Sequence, residues 1–148
     1  MTYDIQKASI TKRISAFLFD SILTGIVIVA VIWLLSAILN YNSYSENLEK
    51  AYDTYEKQYG INFEITQEEY LALSEDERAD YDDAYAALVA DTDAMYNYNM
   101  VINLTLLMIT GGVLLGIMMI EFVVPMLLGN GQTLGKKIFG IALIRQDG

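Results

Sequence analysis

Two carboxylates, Asp20 and Glu121, each stand alone in a long run of apolar residues, and they are the groups here best placed to do chemistry. The run from Ile14 to Leu39 carries no charge besides Asp20, and the run from Met100 to Leu128 none besides Glu121. A charged side chain at the centre of a membrane helix costs about 2.5 to 3.5 kcal/mol even on a lenient scale. Each acid therefore needs a proton, a partner or water, and is expected to face other helices. Arg13 lies seven positions before Asp20, hence on the same helix face, with Asp20 about 10 Å deeper at about 1.5 Å per residue. Glu121 precedes Gly129 by eight positions, about 12 Å by the same rise, so the two acids are expected at similar depth. Pro125 has no amide to offer the carbonyl four residues earlier, which predicts a kinked, polar spot at Glu121. Arg13, Asp20 and Glu121 thus form a candidate proton or cation site, with Arg13 or a tail lysine as counter-ion. A fixed salt bridge holding the two helices together is the competing reading, and the residues alone leave both open.

Other chemistry is largely excluded. The chain has no cysteine and no histidine, so disulfides, lipid attachment through a thiol, thiolate or imidazole metal sites and histidine-based catalysis have no residues to use. The stretch GNGQTLGKKIFG, from Gly129 to Gly140, invites comparison with a phosphate-binding loop but fails it. Asn130 stands where the first glycine of that comparison is required, Lys137 holds the position of the magnesium-binding hydroxyl, and no strand precedes the stretch. Gly131 and Gly135 are instead expected to make tight turns at the end of the second span. No loop has the ligand spacing of a calcium site. No nucleophile has a recognisable base, so no catalytic residue, cofactor, metal or nucleic-acid partner is expected.

The elements that position these residues follow from hydropathy and charge. Each apolar run exceeds the roughly 20 residues that cross a bilayer, giving spans over 14–39 and 100–128. The first run is too long for the apolar core of a signal peptide, roughly 7 to 15 residues, and carries Asp20 inside it. Lys7, Lys12, Arg13, Lys136, Lys137 and Arg145 lie in the tails, whereas only Lys50, Lys57 and Arg78 lie between Tyr41 and Asn99. Positive residues stay on the cytoplasmic side, so both tails, 1–13 and 129–148, are expected inside and the insert, 40–99, outside. Fifteen of the nineteen acidic residues fall in that insert, most simply as a solvated face.

The insert reads as helical. Leu48, Ala51, Tyr52, Tyr55 and Tyr59 share a stripe that Gly60 ends as a cap, and Thr66 with Glu69 and Ser74 with Glu77 match two capping boxes. From Tyr81 the helical spacing continues through Tyr85, Leu88, Thr92, Met95, Asn99, Ile102, Leu106 and Ile109 to Val113 without a break or a proline, which predicts that the second membrane helix begins well outside the bilayer. Tyr41, Tyr44, Tyr96 and Tyr98 are expected near the outer boundary as an aromatic belt. Gly112 with Gly116, and Ser21 with Gly25, give small residues at helix-packing spacing.

Two blocks, KRISAFLFD from Lys12 to Asp20 and GQTLGKKIFGIALIRQDG from Gly131 to Gly148, resemble the RDD family of bacterial membrane proteins. That pattern pairs an arginine and an aspartate in the first membrane helix, here Arg13 and Asp20, and follows the second with a GQTLGK-type block, here Gly131, Gln132, Thr133, Leu134, Gly135 and Lys136. The resemblance covers about half the chain and leaves out the insert. Family members continue with further apolar helix and another aspartate, so the sequence is expected to be either part of a longer chain or a natural short form, with further membrane helices of that chain, or a second copy, as candidate partners beside the lipid bilayer. It implies an association with transport and residence in the bacterial cytoplasmic membrane. Read from residues alone, Ile138, Phe139, Ile141, Leu143 and Ile144 form a short strand or lie on the membrane surface with Lys136 and Lys137 at the headgroups.

The expected architecture is an all-α membrane protein of two transmembrane helices, a long acidic helical insert and a short cytoplasmic tail. Two functions fit it. The first is a transporter component for a cation, proton or small solute. The second is a non-transporting scaffold or accessory protein that binds partners through the insert, favoured if the tyrosine stripes stay exposed instead of packing together.

Overall fold

The computed structural model describes residues 8–128 and 131–141. All regular structure among them is helical: α1 (Ile10–Ile38), α2 (Tyr41–Tyr59), α3 (Gln67–Ala72), α4 (Glu75–Ala90), α5 (Thr92–Met118), a π turn (Met119–Val123), α6 (Val124–Leu127) and α7 (Leu134–Ile138). Helix α1 and the stretch Thr92–Leu127 are each long and apolar enough to cross a membrane, with mean hydropathy 2.6 and 2.3 in their most apolar windows. The chain divides into two compact units, Met1–Leu35 with Met108–Gly148, and Ser36–Leu107.

In the first unit, α1 and the end of α5 meet antiparallel at a narrow glycine seam. A Cβ on Gly116 would collide with the Ile28 side chain and press on its backbone at 3.3 Å; one on Gly112 would collide with Ile32; Gly111 faces Leu35 at 3.6 Å. Small residues at this spacing let two backbones approach closely, the main source of helix contact where lipid supplies no hydrophobic drive. Buried residues Met108, Gly112, Gly116 and Ile120 recur every four positions on the seam, while Phe17, Val29, Trp33, Phe122 and Met126 are more than two-thirds exposed, an outer surface suited to lipid. Ser21 and Gly25 do not join this contact: both are exposed, and open space surrounds the place a Gly25 Cβ would occupy. Gly112 and Gly116 meet the branched side chains of Ile28 and Ile32 instead of a second small-residue pair.

Pro125 disturbs the helix as its chemistry requires. The amide of Val124 reaches back five residues to the Met119 carbonyl, so the chain widens into a π turn through Glu121 before α6 resumes with Pro125 near its start. A π turn absorbs both the missing amide and the clash of the proline ring with the preceding turn.

The second unit follows its predicted local signals closely. Gly60 ends α2 with φ +68°, its amide bonded to the Glu56 carbonyl, and both capping boxes form reciprocally at α3 and α4. Asn40, with φ 55°, turns the chain from α1 into α2. Beside its buried Ala84, Leu88, Ala94 and Leu104 the unit carries a half-buried aromatic cluster: Tyr52, Phe63, Tyr81 and Tyr70 make successive edge-to-face contacts at 5.5, 5.6 and 5.1 Å, and the Arg78 guanidinium lies over Tyr70. Arg78 also donates to the Leu71 and Leu73 carbonyls, fixing the turn between α3 and α4.

The unbroken spacing from Tyr81 is carried by two helices divided at Asp91. Its carboxylate accepts from the amides of Asp93 and Ala94 at 2.9 and 3.1 Å, capping α5, and from the Tyr55 hydroxyl at 3.1 Å. The apolar spacing continues through the break because both helices bury residues in one core, with Ala84, Leu88 and Ala94 on either side of it. Periodicity therefore concealed a boundary that the side-chain chemistry of Asp91 enforces.

Candidate functional site

The site is built where α7 docks on α1. Ala16 and Asp20, four residues apart, lie on one face of α1 and are the two buried residues of that helix. Gly131, with φ +67°, turns the chain after the second span, and Thr133 caps α7, its hydroxyl oxygen accepting from the Lys136 amide at 3.4 Å. The same hydroxyl donates to Asp20 Oδ2 at 2.5 Å, and the Gly135 amide donates to Asp20 Oδ1 at 2.7 Å. Each oxygen of the carboxylate thus receives one neutral donor. Asp20 is 8% exposed and Thr133 5%.

Gly135 is required by space, not by a turn. A Cβ there would run into the Ala16 carbonyl and come within 2.8 Å of Asp20 Oδ2. The expectation that Gly135 makes a tight turn is corrected accordingly: it sits inside α7, and its lack of a side chain lets the backbone reach the carboxylate. Ile141 closes the block, its amide bonded to the Lys136 carbonyl at 2.8 Å and its carbonyl accepting from Gln132 Nε2 at 2.9 Å. The stretch through Ile138 is helix, which removes the strand alternative there; Leu143 and Ile144 lie outside the described residues.

The remaining candidates are not gathered around Asp20. Arg13 is exposed, and the one ion pair among the described residues is Lys57 with Asp53, within the second unit. Glu121 is exposed on the π turn, with no hydrogen bond or ion pair to its side chain among the described residues. Extending the seam in which Gly116 meets Ile28 and Gly112 meets Ile32 sets Glu121 level with Ile22 to Thr24, about one turn from Asp20. The two acids therefore lie about one turn apart along the helix pair and do not form one site, Glu121 being exposed beside the buried Ile120. Among the described residues no three Asp or Glu come together as a metal would require.

Thr133 and Gly135 stand in the tail motif and Asp20 in the first apolar run, and nothing in their spacing joins them. The signal was available: a buried carboxylate demands donors, and a threonine two residues before a glycine supplies a hydroxyl and a sterically open amide at a helix start.

A membrane-type helical protein is what this fold and site define. The model of the RDD family matches residues 7–148, and the chain belongs to that family. The matched range runs through the acidic insert, wider than the two blocks that carried the resemblance. No curated protein and no solved structure matches the chain.

Proposed function

We propose that this protein is a component of a proton- or cation-coupled membrane transport system, with Asp20 as its ion-responsive group. It lies in the bacterial cytoplasmic membrane as a multi-pass protein, both termini cytoplasmic and the acidic insert outside. The observation that carries this reading is the buried Asp20 carboxylate, held by the Thr133 hydroxyl and the Gly135 amide with no cation paired to it among the described residues. Two neutral donors orient a carboxylate but leave its charge uncompensated, so a proton or a monovalent cation is the natural complement. Occupancy of Asp20 would weaken both contacts, because a neutralised carboxyl is a poorer acceptor than a carboxylate, and so couples an ion to the docking of α7.

Ion flux in proteoliposomes under imposed pH, sodium and potassium gradients tests this. The parent should carry flux that Asp20→Asn abolishes while the variant still folds. Glu121→Gln should retain most of it, since Glu121 stands apart from the site. No flux in the parent under any gradient would refute the transport reading.

A second reading rests on a different observation. Tyr85, Tyr96 and Tyr98 of the insert are 57%, 55% and 42% exposed, and a groove of about 260 Å³ lies between Leu48, Leu88 and Tyr98. Exposed aromatic side chains favour a partner surface, so an accessory protein acting through its insert is the alternative. Tyr52 and Tyr81 of the stripes pack with Phe63 and Tyr70, and Tyr55 is tied to Asp91, so part of each stripe is used within the insert itself.

A further inference from the structure

Four cations flank, in sequence, the two residues at which α7 meets α1, Ala16 and Gly135. Lys12 and Arg13 precede Ala16 by four and three residues, placing both on the docking side of α1, one turn from the carbonyl against which Gly135 is seated. Lys136 and Lys137 follow Gly135 directly in α7. Lys12, Arg13 and Lys137 are exposed and Lys136 partly so, and no acid pairs with any of them among the described residues. Asp20, the one acid on α1, is buried one turn beyond Ala16 and makes no ion pair with any of them among the described residues. Glu121 is level with Ile22 to Thr24, about three turns farther along the span than Lys12. Ile10, Ile14, Phe17 and Ile138 are each more than half exposed at this same end. Unpaired cations beside exposed apolar side chains, at the end of a membrane helix, match a lipid's phosphate and the upper part of its acyl chains.

We infer that Lys12, Arg13, Lys136 and Lys137 form a binding surface for an anionic phospholipid headgroup, assembled only when Asp20 holds α7 against α1. The inference rests on the spanning topology proposed above but not on transport. The latch supplies two of the four cations: with α7 undocked, Lys136 and Lys137 are no longer held beside Lys12 and Arg13. Anionic lipid and docked α7 then stabilise each other, since a ligand that binds one state more tightly shifts the population toward it.

The test compares association of spin-labelled phosphatidylglycerol and phosphatidylcholine with the full chain in phosphatidylcholine nanodiscs. The parent should prefer phosphatidylglycerol, with the preference falling as salt rises. Replacing all four cations by glutamine should bring the two lipids to parity. Thr133→Val keeps every cation but loses one latch contact, and should lose most of the preference while circular dichroism reports an unchanged helical content. Full preference in Thr133→Val would overturn assembly by the latch, and no preference in the parent would overturn the surface itself. A parent that fails to insert into the discs would sink the spanning topology and the inference together, whereas insertion without preference sinks the inference alone.

Discussion

Asp20 and Thr133 are separated by 113 positions in sequence and joined by one short hydrogen bond. The energetic weight of that bond follows from burial. A hydrogen bond to a charged group contributes about 1.5 to 3 kcal/mol, and stranding the buried partner costs on the same scale. Thr133→Val should therefore lower stability by about that amount, read as a drop in unfolding midpoint in detergent. Gly135→Ala tests the same contact from the steric side. Its methyl meets the Ala16 carbonyl, a backbone atom that cannot swing away, so a loss of about 1 to 3 kcal/mol is expected by thermal unfolding. An unchanged midpoint in both variants would mean that α7 is not seated on α1. At this scale the sequence was half legible. The oddity of Asp20 in an apolar run announced a site, but its partners were invisible to periodicity, since they lie across a turn and beyond the second span. Glu121 misled for the opposite reason: depth can be counted along a helix, whereas the direction a side chain takes depends on which face the seam uses.

Among the elements, caps and glycines were legible and the division of the long helix was not. The two capping boxes and Gly60 act within a few residues, so local chemistry settles them. The break at Asp91 depends on a carboxylate that serves both the α5 amides and Tyr55, and an apolar pattern continuing on both sides gave no warning. Asp91→Ala should cost about 0.5 to 2 kcal/mol by chemical unfolding, as the loss of a helix cap does. The glycine seam makes a graded prediction. Gly116→Ala drives a methyl toward Ile28 backbone atoms at 3.3 Å, whereas at Gly112 the near atoms belong to the movable Ile32 side chain. Thermal unfolding should therefore show the larger loss at Gly116. Equal losses, or a larger one at Gly112, would mean that the close approach lies elsewhere.

For the whole molecule, the two units divide by chemistry: one has an apolar exterior and the buried Asp20 latch, the other an acidic exterior and a half-buried cluster of aromatic rings. The acidic unit carries its own pH dependence. The Thr66 amide and hydroxyl hold Glu69, and the Ser74 hydroxyl and amide hold Glu77, below the usual 4.5, while the Ala94 amide and the Tyr55 hydroxyl hold Asp91 below 3.8. Groups held low when folded stabilise the fold above their unfolded values and lose that contribution as pH falls through the folded ones. Tyr52, raised above 10.0 first by burial, and Tyr70, raised first by its bond to Asp82, act in the other direction. Their contribution is present below 10.0 and disappears as pH climbs above it. Near-ultraviolet circular dichroism of the tyrosines should therefore show a stable plateau between these limits, weakening below about pH 4 and above about pH 10. The central claim, that Asp20 holds the QTLGK block, is tested most directly by hydrogen exchange of the Gly135 amide in nanodiscs. The account predicts slow exchange in the parent and exchange faster by at least about tenfold in Asp20→Leu, corresponding to about 1.4 kcal/mol of lost protection. Fast exchange in the parent, or protection unchanged by Asp20→Leu, would contradict it.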